Sequence, residues 1–145
     1  MKKTYTSLAA GLSLFFSPLA TQAVDFEKDV LPVLEERCMG CHRADYIDAR
    51  TERKKSAKSG YRMDTAELIM GGGDENDANI VVGKPDESPV YTYTTLHEDD
   101  EWAMPTKGDR LTDEQKEALK TWIAEGAKLG DWKETKFDAA GDKVE

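Results

Sequence analysis

Apolar positions along this chain gather into a few short stripes separated by long polar stretches. In "VDFEKDVLPVLEERCMGCH", Phe26, Val30, Val33 and Leu34 recur at helical spacing. Pro32 suits the first turn of a helix beginning near Val30, where a missing N–H costs nothing. "YRMDTAELIMGGG" predicts a short helix over Asp64 to Met70, stopped by Gly71 to Gly73. "NIVVGKPDESPVYTYTTL" predicts turns, then a short helix or extended piece at Val90 to Leu96. In "LTDEQKEALKTWIAEGAKLGDW", Thr112 and Gln115 form a capping box, and Ala118, Leu119, Trp122 and Ile123 form one apolar stripe. Gly126 or Gly130 ends that helix. With no internal repeat and no alternating pattern, the predicted fold class is all-α.

The first 23 residues stand apart. Lys2 and Lys3 precede an apolar run from Leu8 to Phe16, and Thr21-Gln22-Ala23 ends in a small residue. This pattern predicts a signal peptide cleaved after Ala23. The run is shorter than the roughly 20 residues of a membrane-spanning helix. No cysteine lies near the cleavage site to take a lipid. Residues 24–130 then form one expected domain, and 131–145 a polar, loose C-terminal tail.

Charge narrows the functions. The chain carries 29 Asp and Glu against 20 Lys and Arg, a net charge of −9. Without Lys2 and Lys3 the balance is −11. Such an acidic surface argues against nucleic acid as a partner and favours protein partners with basic patches. The single basic run, from Arg50 through Arg53, Lys54 and Lys55 to Lys58, reads as a solvated segment, with docking to an acidic partner as the alternative. Gly71 to Gly73 lack the Gly-Lys-Ser or Gly-Lys-Thr of a phosphate loop, and the acidic residues after them lack calcium-loop spacing.

The chemistry concentrates in "RCMGCH". Both cysteines of the chain, Cys38 and Cys41, and one of its two histidines, His42, fall within five residues. A redox disulfide is one reading, but no alternating strand–helix pattern surrounds it. Zinc is a second, but adjacent Cys41 and His42 are poorly placed on one tetrahedral ion and no second ligand pair follows. Covalent haem attachment is the third, and the one the spacing favours. On a helix, residues 38 and 41 share a face, so two thiols reach two vinyl groups of one porphyrin, and His42 supplies a proximal ligand. Because such attachment takes place outside the bacterial cytoplasm, the leader and the motif together predict a periplasmic protein.

A second axial ligand is then either present or absent. Met39 lies inside the attachment loop and is excluded. Met63 and Met70 sit beside apolar residues and read as packing. Met104, in "WAMPTKGDRLT", sits on a loop next to Pro105 with no apolar stripe to explain it, which makes it the favoured ligand. His97, in "TLHEDDE", is the runner-up.

With these motifs in place, the chain resembles the small class I c-type cytochromes, and among them the planctomycete-type cytochrome c domain. The segments carrying the resemblance are "DVLPVLEERCMGCH", "SGYRMDTAELIMGGG", "IVVGKPDESPVYTYT" and "AMPTKGDRLTDEQKEALKTWIAEGA". It implies an all-α fold wrapped around one covalent haem c, bound through Cys38 and Cys41 with His42 and Met104 on the iron. The stretch between His42 and Gly60 is longer than that pattern. The function so implied is single-electron transfer between transient redox partners by a monomeric, non-enzymatic carrier. The apolar stripe of the last helix, for its part, predicts packing on the first helix and on one haem edge. The rival readings are a haem enzyme or gas sensor with an open or His97-ligated distal site, and a subunit in which haem only staples the fold.

Overall fold

The computed structural model describes residues 23–144, so the expected leader lies outside the described residues except for Ala23. The chain enters through one π-helical turn, Phe26–Val30, capped by the Asp25 carboxylate accepting from the Lys28 N–H at 3.0 Å. It continues directly into α1 (Leu31–Arg37), with Pro32 in the first turn as its spacing predicts. Two further helices follow, α2 (Pro89–Thr95) and α3 (Asp113–Ala124). The α3 capping box is made in full: Thr112 Oγ1 accepts from the Gln115 N–H, and Gln115 Oε1 accepts from the Thr112 N–H.

The core is built around Phe26. Its ring lies 5.1 Å from Trp122 and 5.2 Å from Trp132, both tilted, so three aromatic rings from distant parts of the chain interlock. Val30, Leu34, Ile69, Leu119 and Ile123 close around them. The α3 stripe therefore packs chiefly on the Phe26–Val30 turn and on α2, where the spacing predicts α1. Ser88, fully buried, explains the Gly-Lys-Pro-Asp-Glu-Ser segment: its hydroxyl donates to the Lys84 carbonyl at 2.8 Å and accepts from the Val81 N–H at 2.9 Å. These bonds tie the turn to the start of α2.

The all-α expectation is overturned. Two antiparallel hairpins accompany the helices: β1 (Tyr46–Asp48) with β2 (Arg53–Lys55), and β3 (Lys136–Phe137) with β4 (Lys143–Val144). The result is a small mixed α/β domain with short helices. These strands are two or three residues long and mostly exposed, so no apolar alternation marks them in the sequence. Local polar chemistry closes the first one instead, with Asp48 Oδ1 accepting from the N–H groups of Arg50 and Thr51, both at 3.0 Å. Arg50 to Lys55 of the basic run thus form the tip and second strand of an exposed hairpin, while Lys58 lies beyond it in a turn.

Two further expectations change. Asp64 to Met70 is a single turn, not a helix, because the Ala66 N–H donates to the Lys133 carbonyl and Thr65 bridges to Glu134. The segment after Trp132, read as loose, is held: Trp132 and Thr135 are buried, and Thr135 donates through Oγ1 to Glu35 and through its N–H to the Asp64 carbonyl. Arg43 locks this end further. Its guanidinium sits between the rings of Tyr46 (4.0 Å) and Phe137 (4.4 Å) and donates to the Gly141 carbonyl.

Trp132→Ala is expected to lower stability by about 3 kcal/mol, the usual cost of truncating a buried aromatic. Urea unfolding of wild type and variant measures it. A loss below about 0.5 kcal/mol, typical of a surface substitution, would return Trp132 to a loose tail.

Candidate functional site

The residues read as chemical in the sequence meet at one cavity of about 410 Å³, within the range of small-molecule sites. Cys38, Cys41 and His42 form one part of its wall and Met104 another. Tyr61, Met63, Val90, Tyr93 and Trp102 add an apolar and aromatic lining. No α3 residue lines it, so the expected contact between the last helix and this site is not made.

The motif sits just past the end of α1. The N–H groups of Cys41 and His42 both bond the Cys38 carbonyl, at 3.0 and 3.1 Å, which coils the five residues into a tight turn. The two cysteines are not joined to each other by a disulfide. Burial pushes the Cys38 thiol up to about 12, with the neighbouring Cys41 adding to the effect. Cys41 is exposed at the cavity mouth. Met39, between them, points into the core and is fully buried, as its exclusion from ligation requires.

His42 is oriented by the backbone. Its Nδ1 lies 3.2 Å from the Tyr61 carbonyl. A carbonyl only accepts, so this bond places the ring hydrogen on Nδ1 and leaves Nε2 with a free lone pair. Burial lowers the imidazole pKa, favouring the neutral ring that a metal requires. The Met63 N–H in turn donates to the His42 carbonyl at 3.0 Å. The Tyr61 hydroxyl, buried, donates to the Ile69 carbonyl at 2.7 Å and fixes the segment that carries these contacts.

Met104 arrives on a separate loop. Its N–H donates to the Tyr93 carbonyl at 2.9 Å. Arg110 clamps the same loop to the end of α2 by donating to the carbonyls of Thr94 and Leu96. His97 is apart from the cavity: it is exposed and its Nδ1 faces Asp99 at 3.4 Å. Met70 is also absent from the lining. Met63 does line it, but from the segment bonded to His42. Tyr61 and Arg110 escape sequence reading because each acts on backbone carbonyls, which no residue spacing encodes. Gly72 and Gly73 do leave a signal, now explained by close approach. A Cβ at Gly72 would fall 1.8 Å from the Asn76 carbonyl oxygen, and one at Gly73 2.2 Å from that of Ser59. The glycines fold this loop tightly enough for Asn76 and Asn79 to reach the cavity.

Among the described residues, no group of three or more His, Cys, Asp or Glu is arranged to hold a metal ion unaided. The donor set fits a different occupant. Two thiols beside a neutral imidazole, facing an apolar chamber with a thioether in its wall, suit an iron porphyrin joined through its side groups.

Residues 38–108 match the family model described as Planctomycete cytochrome C. This is the family that the motifs resemble. It is one of c-type cytochromes, whose cofactor is haem c, and the matched segment begins at Cys38 and includes Met104. No curated protein and no solved structure matches the chain. Among the described residues no helix is long and apolar enough to cross a membrane.

Asp64 braces the matched segment by bonding the chain just beyond His42. It accepts from the Ala44 N–H at 3.1 Å and from Arg62 at 2.8 and 2.9 Å. Burial alone would raise its carboxyl pKa, but these bonds outweigh it and hold the group below the usual carboxylate range. A depressed folded value means stabilisation that is full above the unfolded pKa and lost as pH falls through the folded one. Acid titration of thermal stability should therefore show a steeper fall for wild type than for Asp64→Asn. Parallel curves would remove Asp64 from the acid response.

Proposed function

We propose that the chain is a periplasmic monohaem c-type cytochrome that carries single electrons between protein partners. In this reading Cys38 and Cys41 bind the haem covalently, and His42 and Met104 are the axial ligands. The observation that carries it is the meeting of these four residues at one cavity, while His97 and Met70 stay outside it. Axial ligands must approach an iron from two sides. Met63 is tied through its backbone to His42, whereas Met104 comes on an independent loop held by Tyr93 and Arg110.

Bound there, the haem supplies a one-electron ferric–ferrous couple. The chain's own contributions follow from its geometry. The Tyr61 carbonyl aims the His42 ring, and burial keeps it neutral. The Tyr93, Trp102 and Val90 side chains keep water from the chamber. Methionine as the second ligand favours the reduced state relative to a second imidazole. Trp102, 40% exposed and 5.9 Å from the Tyr93 ring, marks the open side of the cavity where a partner approaches. Electron-transfer complexes are small and short-lived, and the acidic surface makes docking to basic partners salt-sensitive.

Met104→Ala tests the ligand assignment against an open distal site and against His97. The expected variant loses the weak far-red methionine–iron band, binds carbon monoxide when reduced, and has a lower midpoint potential, while His97→Ala matches wild type in all three. An unchanged Met104→Ala spectrum, with carbon monoxide already bound by wild type, would instead indicate an open site suited to an enzyme or gas sensor.

A further inference from the structure

The cavity carries a charge opposite to that of the chain around it. Three cations, Arg37, Lys58 and Lys107, line it against one carboxylate, Glu75, in a protein with nine more acidic than basic residues. Arg37 stands out among them. It ends α1 directly before Cys38, its side chain is only 20% exposed, and its Nε is buried without a hydrogen-bond partner among the described residues. Its other nitrogens have weak partners. Nη1 lies 3.5 Å from Asp109, whose side chain is 91% exposed, and Nη2 lies 3.3 Å from Glu36, 63% exposed. Ion pairs with such solvated carboxylates contribute little. The other buried guanidinium nitrogen without a partner, Arg43 Nε, belongs to a side chain held between two rings outside the cavity.

A buried guanidinium N–H left unmatched is costly, and a planar fork is best matched by a carboxylate. Resting on the haem reading above, we infer that Arg37 receives a propionate carboxylate of the porphyrin through its Nε, with Lys58 and Lys107 at the rim lending further positive charge. Arg37 thereby does two things. It anchors the polar edge of the ring, at the residue adjoining the first thioether link. It also places a fixed positive charge beside the cofactor, which disfavours the more positive ferric state.

The test uses exported, haem-loaded wild type, Arg37→Gln and Arg37→Lys, with three readouts: covalent haem content, midpoint potential and the resonance Raman propionate-bending band. Arg37→Gln should retain covalent haem, show a lower midpoint potential, and shift the propionate band to the position of a carboxylate with a weaker hydrogen bond. Arg37→Lys should keep the potential nearer wild type, because its charge remains, yet lose the Nε-dependent band position. Haem-loaded Arg37→Gln with potential and band both unchanged would overturn the assignment while leaving the cytochrome reading intact. Should Arg37→Gln fail to accumulate, the Arg37→Lys band decides alone, and an unmoved band overturns the inference. Wild type without covalent haem would sink the functional reading and this inference together.

Discussion

The bond between His42 Nδ1 and the Tyr61 carbonyl, at 3.2 Å, is the contact on which the site depends. It selects the ring hydrogen, and so decides which nitrogen can bind a metal. It also joins two stretches of chain, the attachment motif and the Tyr61–Asp64 segment, that share little else in sequence. The Met63 N–H to His42 carbonyl bond and the Ala44 N–H to Asp64 bond extend the seam on either side. The imidazole is held at a fixed angle by backbone rather than by a rotatable side chain, which is the kind of support a metal ligand needs to keep its geometry.

Around that seam the protein divides its packing between two centres. One is the aromatic cluster of Phe26, Trp122 and Trp132, which is complete in itself and draws on both ends of the described chain. The other is the cavity, which no side chain among the described residues fills. A domain this small has little surface to bury on its own account, and in the proposed reading a large apolar cofactor joined to Cys38 and Cys41 would supply a second core. The split explains why α3 can pack fully while touching none of the cavity. It belongs to the first centre, and α2, with the Met104 loop clamped to its end, serves the second.

Much of this was legible in the sequence, for identifiable reasons. Cys38, Cys41 and His42 stand out by the fixed spacing of rare residues, and Met104 by being a methionine on a polar loop without a packing role; the structure brings all four to one cavity. The capping box and the start of α1 were legible because caps are local chemistry. The hairpins were not. Their strands are too short and too exposed to leave a periodic trace, and what holds them is a turn made by Asp48 and the clasp of Arg43 between Tyr46 and Phe137. The missing helix at Asp64 to Met70 failed for a tertiary reason, since the Ala66 N–H is taken by the Lys133 carbonyl and the Asp64 carbonyl by the Thr135 N–H, both from the far end of the chain. Trp132 was misread because a lone tryptophan in a polar segment carries no period to show which way it faces.

The central claim is that a porphyrin is covalently joined to this chain at Cys38 and Cys41. The most direct measurement is the intact mass of protein exported from a host competent in cytochrome c maturation, taken after extraction with acidified acetone. The account predicts a pigment that stays with the polypeptide and a mass equal to that of the chain plus one haem, falling to that of the bare chain when both cysteines are replaced by alanine. A bare-chain mass in wild type, with colour absent or washed into the solvent, would contradict it.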